Sequence, residues 1–88
     1  MSRGYNKFRG DKMHDEFAQN YTKIGLKIAY YRKLKGLTQE QLACRMDVAT
    51  SFIGQIEAPG IYKPISLDTL FRIAKALEVE PYRLLTFE

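Results

Sequence analysis

The sequence predicts an all-α fold of five helices with an N-terminal extension. Apolar residues recur at the three-to-four spacing that places them on one face of a helix. Capping residues, glycines and prolines mark where these periodic segments begin and end. No segment alternates apolar and polar residues with the period of a strand. The chain has 88 residues, enough for one domain with a modest core.

The first helix follows a short polar extension. Residues 1–12 are basic, contain glycine and show no apolar period, so we interpret them as a flexible arm and assign residues 13–88 to the domain. Lys35 and Gly36 form a pair typical of helix C-termini. Gly25 weakens the helix by roughly 1 kcal/mol relative to alanine without breaking it. Its apolar stripe is Phe17, Tyr21, Ile24, Ile28, Tyr31 and Leu34.

The second and third helices lie within residues 38–57 and are separated by a tight turn. Thr38 is expected to cap the second helix, and Gln41 completes a capping box. In the third helix, Ile53 and Ile56 share one side. A helix that buries these two residues and exposes small polar groups is suited to entering a groove, as in a helix-turn-helix motif. The exposed side carries Thr50, Ser51, Gly54 and Gln55.

A loop and two further helices complete the chain. Residues 58–65 contain two prolines and a glycine and are predicted to form the loop. Ser66 caps the fourth helix, and Pro81 takes the first position of a short fifth helix that includes Leu84 and Leu85. The apolar set of the fourth helix is Leu67, Leu70, Phe71, Ala74 and Leu77.

Composition restricts the classes of function. The net charge of +4 and pI of about 9.3 favour a polyanionic partner, although simple solubility explains them equally well. The chain has no apolar run long enough for a membrane span, and its single cysteine suits a reducing cytoplasm. His14 and Cys44 are the only residues of their kinds and fall in different predicted helices. We therefore expect no metal site, no cofactor and no catalytic site.

Three segments form a specific signal when they occur in this order: YYRKLKGLTQEQLA, SFIGQIE and SLDTLFRIAKAL. Together they resemble the lambda-repressor-like, xenobiotic-response-element (XRE) type of bacterial and phage transcription regulators. The resemblance covers roughly Tyr21 to Phe87. It implies a DNA-binding domain that recognises specific sequences in double-stranded DNA, acts as a repressor and reads the major groove with the helix at residues 50–57.

The resemblance also implies roles for single residues. Arg32 and Glu57 match a pair in which a guanidinium–carboxylate contact fixes the angle between the first and third helices. Gln39 matches a glutamine that binds a DNA phosphate and braces the reading helix. The family's base-reading positions correspond to Thr50, Ser51 and Gln55. For Thr50 and Ser51, helix capping or a solvated face is the simpler alternative. The family's phosphate-contacting loop positions correspond to Tyr62 and Lys63.

The chain departs from the family pattern at two positions. Ala58 stands where a polar or basic residue is usual, and Pro59 follows it, so one contact to the DNA backbone is expected to be lost. Asp47 stands where glycine is common at the turn. Because aspartate tolerates left-handed backbone geometry better than most residues, we expect the turn to remain intact.

Two kinds of partner besides DNA are considered. A homodimer is expected because a short module has limited contact with one half-site, and its interface is assigned to Tyr82, Leu84, Leu85 and Phe87. Small proteins that resemble this family also serve as antitoxins, so a toxin partner is the alternative. In that case the segment Met13–Tyr21, which extends beyond what the domain needs, could pack on the partner.

Overall fold

The computed structural model describes residues 8–87, with side chains described from Glu16 onward. Within this range there are four α-helices, one short 3-10 helix and no strand, which confirms the predicted all-α class. The fifth predicted helix is therefore a 3-10 helix and not an α-helix. None of the described helices has the length and apolar content needed to cross a membrane. The elements are α1 (Phe8–Leu34), α2 (Gln39–Met46), α3 (Thr50–Glu57), α4 (Leu67–Leu77) and the 3-10 helix Pro81–Leu85.

The helix α1 begins earlier than the apolar pattern suggests. It starts at Phe8 and not at Met13, so the backbone of residues 8–12 is helical where a flexible arm is predicted. The rest of that predicted arm, residues 1–7, lies outside the described residues. At the other end, Gly36 adopts the left-handed conformation with φ of 74°, as expected of a glycine that terminates a helix.

Side-chain caps fix the ends of the short helices. The Thr38 hydroxyl accepts the backbone N–H of Gln41 at 3.0 Å, and the Gln41 side chain accepts the backbone N–H of Thr38 at 2.9 Å. This confirms the predicted capping box. The Ser66 hydroxyl likewise accepts the backbone N–H of Thr69 at 3.1 Å and caps α4. Asp47 ends α2 in the left-handed conformation, with φ of 57°, so the turn to α3 forms without glycine.

The core is formed where α1, α2, α3, α4 and the 3-10 helix meet. Two side chains of the predicted α4 stripe, Leu67 and Phe71, are 65% and 51% exposed. The reason is that α4 buries a narrower face, which includes Ile73, a residue outside the predicted stripe. In α1, Phe17 and Leu34 are likewise exposed. The largest completely buried side chains are Ile28, Leu42, Ile53, Ile73, Leu77 and Leu84.

Leu84 requires a correction. The sequence places it at a dimer interface, but its side chain is completely buried within its own chain. The 3-10 helix packs against both α1 and α4, and Leu84 is the residue that it contributes to the core. A side chain with no exposed surface has no area to bury against a second subunit, so Leu84 belongs to the core.

Candidate nucleic-acid interface

The helix α3 lies directly against α1 on one side and is open to solvent on the other. Ile53 and Ile56 are buried on the inner side. The backbones of the two helices meet at Gly25, where an added Cβ atom would collide with the carbonyl oxygen of Ile56. The sequence analysis does not predict this close approach and treats Gly25 only as a mildly unfavourable helix residue. A glycine on the apolar face of a long helix is the feature that indicates such a contact.

A buried ion pair joins α1 to the end of α3. Arg32 Nε donates to Glu57 Oε2 at 2.8 Å, and Arg32 Nη2 donates to Glu57 Oε1 at 2.9 Å. Both residues are only 8% exposed. Arg32 Nη1 also donates to the carbonyl oxygen of Leu37 at 2.7 Å, so the guanidinium is held from two sides. Its hydrogen bonds to the Glu57 carboxylate raise the pKa of Arg32. This two-point geometry fixes the orientation of α3 on α1.

Gln39 extends this pair to α2. Its Nε2 donates to Glu57 Oε1 at 3.0 Å, so one carboxylate binds side chains from both α1 and α2. The Gln39 side-chain oxygen is the nearest neighbour of a Cβ placed on Gly54, at the ordinary contact distance of 3.6 Å. Gln39 therefore braces the two helices of the motif through the end of α3.

The solvent-facing side of α3 carries no charge. Thr50, Ser51 and Gln55 are all exposed there, and the single charged residue of the helix, Glu57, is buried and paired. The helix begins after Ala49, whose side chain makes no capping hydrogen bond, so the capping role considered for Thr50 is not observed. The first turn of α3 contains no acidic residue. A polyanion that approaches the exposed side of α3 therefore meets no carboxylate from this helix.

The loop after α3 carries the remaining candidate residues. Tyr62 is exposed and packs edge-to-face on Tyr21 of α1, with the ring centroids 5.9 Å apart. Lys63 places its Nζ 5.3 Å from the centroid of the Phe52 ring, in the first turn of α3. The second contact places the ammonium group of Lys63 next to the first turn of α3.

The exposed residues assigned to a dimer interface fall on two adjacent surfaces. Leu85 is 46% exposed and lines an apolar groove together with Phe17 and Leu67. Tyr82 and Phe87 instead lie beside cationic side chains that approach their rings. The sequence predicted one interface, but the structure divides these residues between an apolar surface and a basic one.

Cys44 is a free, exposed thiol on α2. Among the side chains described, those of residues 16–87, no group of three or more His, Cys, Asp or Glu is arranged to hold a metal ion.

Comparisons with known proteins agree with this geometry. Residues 28–84 match the family model described as helix-turn-helix. Among solved structures, the chain is similar to the restriction-modification controller protein C.AhdI from Aeromonas hydrophila, with 31% sequence identity and a TM-score of 0.71. The similarity covers 77% of this chain and 96% of that chain. No curated protein matches the sequence. None of these matches supports a toxin partner.

Proposed function

The chain belongs to the XRE, or lambda-repressor-like, helix-turn-helix family of DNA-binding transcriptional regulators, and we propose that it recognises a specific double-stranded operator by placing α3 in the major groove. The observation that carries this proposal is the exposed, uncharged side of α3, held in place by the buried Arg32–Glu57 pair. An α-helix fits the major groove, where each base pair presents a distinct pattern of donors and acceptors.

The base contacts are assigned to three side chains of α3. Gln55 has the longest exposed side chain on this side, and its amide can donate to and accept from the major-groove edge of adenine. Thr50 and Ser51 lie one turn earlier and offer hydroxyl groups, to which threonine adds a methyl group that can contact thymine.

The phosphate contacts are assigned to residues that flank α3. Gln39 uses one amide N–H to bind Glu57, and its amide group carries a second N–H that could bind a phosphate. Lys63 contributes a positive charge from the loop, and Tyr62 contributes a phenolic hydroxyl. Such contacts fix the register of the domain on DNA and are independent of sequence.

Two copies of the domain are required for adequate affinity, and we assign their contact to the apolar groove at Leu85. The exposed side chains of Phe17 and Leu67 line the same groove and supply further apolar area. A symmetric dimer of this kind binds two half-sites about 34 Å apart on one side of the duplex. The operator should therefore be an inverted repeat.

Repression is the simplest regulatory outcome, because a dimer bound at a promoter excludes other proteins and needs no contact with them. The similarity to a restriction-modification controller protein over almost all of that chain favours the genes of such a system as targets.

Selection of bound sequences from a random duplex pool tests the proposal directly. The expected product is an inverted repeat whose half-site centres are about one helical turn, or 10–10.5 base pairs, apart. The variant that combines Thr50→Ala with Gln55→Ala serves as the control, since both side chains are exposed and their loss leaves the core intact. No enrichment from the unaltered chain, or the same enriched motif from the control, would show that α3 does not read the sequence.

A further inference from the structure

A cationic surface separate from the proposed DNA contact lies on α1. We call it the outer α1 face, and it consists of Lys23, Leu26, Lys27, Tyr30 and the nearby Phe87. Leu26, Tyr30 and Phe87 are 50%, 55% and 37% exposed and form a shallow apolar cleft. The two lysines, one helical turn apart, border this cleft. The proposed contact between α3 and DNA does not use these residues.

The outer α1 face points away from the reading helix. Helical periodicity places Lys23, Lys27 and Tyr30 on the side of α1 opposite Gly25, with Leu26 at the edge of that side. Gly25 is the residue at which α1 meets the backbone of α3. The thickness of α1 therefore separates the two surfaces, and a molecule bound at the outer α1 face would not compete with DNA in contact with α3.

Among the described residues that line this cleft, every charged side chain is positive. The sequence contains no aspartate or glutamate from residue 17 to residue 39. Among the described residues, no carboxylate forms an ion pair with Lys23, Lys27 or the neighbouring Arg83. Glu80 acts on Arg83 only through its charge at longer range. An anionic partner is therefore favoured at this cleft.

The contacts of the lysines distinguish between the possible anionic partners. Lys23 Nζ lies 5.8 Å from the centroid of Phe87, and Lys27 Nζ lies 5.8 Å from that of Tyr30. Ammonium groups thus already occupy ring faces on which the bases of a single-stranded nucleic acid would stack. Leu26 has no aromatic ring on which a base could stack, but it can contact an apolar side chain of a partner protein.

A second copy of the chain does not fit this surface. In a symmetric dimer through this surface the same patch from both copies would meet, which would bring four lysines together without a described carboxylate between them. Like charges in such an arrangement oppose association. The apolar groove at Leu85, which is the surface assigned to the homodimer, is not lined by either lysine.

We propose that the outer α1 face binds an acidic segment of a partner protein, whose large apolar side chain enters the cleft formed by Leu26, Tyr30 and Phe87 while its carboxylates pair with Lys23 and Lys27. The chain would then hold DNA through α3 and a second protein through α1 at the same time.

Fluorescence anisotropy with the full chain tests this proposal. The probe is a short labelled peptide of aspartate and glutamate with a central Leu-Phe pair. Lys27→Glu should weaken binding of the peptide about tenfold, because one attraction is replaced by a repulsion. Leu26→Ser should weaken it about fivefold through lost apolar contact. The matched control Lys75→Glu changes an exposed lysine on α4 equally in charge and should leave the affinity within about twofold.

Further measurements exclude the alternatives. Lys27→Gln and far-UV circular dichroism distinguish loss of the charge from loss of the fold. Equal weakening by Lys27→Glu and Lys75→Glu would reduce the effect to net charge and overturn the proposal, as would unchanged binding of a peptide with Ala-Ala in place of Leu-Phe. Displacement of the peptide by duplex DNA would contradict two separate surfaces. Tighter, Lys27-dependent binding of polyuridylate would identify a nucleic-acid surface instead.

Discussion

Two physical effects of opposite sign determine how the replacement of Gly25 by alanine changes the stability of the domain. Helix propensity alone predicts that Gly25→Ala stabilises the domain by roughly 1 kcal/mol. In the structure, the new methyl group would collide with the carbonyl oxygen of Ile56, a backbone atom that cannot rotate away as a side chain can. Overpacking costs about 1–3 kcal/mol, and a collision with a backbone atom puts this site in the upper part of that range, from which the propensity gain of roughly 1 kcal/mol is subtracted. We therefore expect Gly25→Ala to destabilise the domain by about 1–2 kcal/mol.

The control is the glycine inside α3. At Gly54 an added Cβ would meet only the side-chain oxygen of Gln39, at 3.6 Å, which is an ordinary contact. Gly54→Ala should consequently gain about 0.5–1 kcal/mol from propensity. Thermal unfolding followed by circular dichroism is sufficient, because 1 kcal/mol moves the Tm of a domain of this size by about 4–8 °C. The two variants should shift the Tm in opposite directions.

The result that would refute this reasoning is a Gly25→Ala variant at least as stable as the unaltered chain. It would mean that α1 and α3 do not approach each other at this residue. A more specific consequence is also measurable. Because the methyl group would push α3 away from α1, Gly25→Ala should weaken binding to a selected operator even at temperatures where the variant is fully folded.

Three further predictions concern the ion pair and the DNA contacts. Arg32→Ala and Glu57→Ala should each cost about 1–3 kcal/mol in unfolding free energy, and urea unfolding of the double variant should reveal non-additivity; additive effects within about 0.5 kcal/mol would contradict the pairing. Gln55→Ala should cost about 1–3 kcal/mol on the selected operator, with unrelated DNA bound as before, and equal losses on both in a mobility-shift assay would assign Gln55 to positioning. Lys63→Ala should weaken binding to all sequences and lower the salt slope by about one unit, so an unchanged slope would remove Lys63 from the phosphate contacts.

The parts of the fold that local rules decide were predictable from the sequence. The capping box of Thr38 and Gln41, the cap at Ser66 and the left-handed turn at Asp47 depend on residues within a few positions of one another. Their hydrogen bonds form in the same way wherever the helix packs. The position of Pro81 at the start of the last helix was also predicted correctly. Over a segment of only five residues, however, apolar periodicity cannot distinguish a 3-10 helix from an α-helix.

The parts that tertiary packing decides were not predictable in the same way. Apolar spacing marks a stripe, but which edge of that stripe is buried depends on the neighbouring helices, and so Phe71 is exposed while Ile73 is buried. The sequence assigns Leu84 to a dimer interface because it is one of the apolar residues of the last helical segment. Its burial depends on α1 and α4 forming the site into which it packs. Gly25 was misjudged for the same reason, since its role depends on a backbone atom 31 positions later in the chain.

The candidate site combines both kinds of information. The sequence shows which residue types lie on the exposed side of α3. Whether that side can bind DNA also depends on whether the carboxylate of Glu57, at the end of the helix, is paired. An unpaired carboxylate there would repel the phosphates of a bound duplex. Arg32 and Gln39 instead hold it in a buried network, which neutralises the charge and fixes the end of α3. The same contacts that orient α3 therefore also remove a negative charge from the surface that we propose binds DNA. The helix α1, which supplies Arg32, carries the surface proposed for a protein partner on its opposite side.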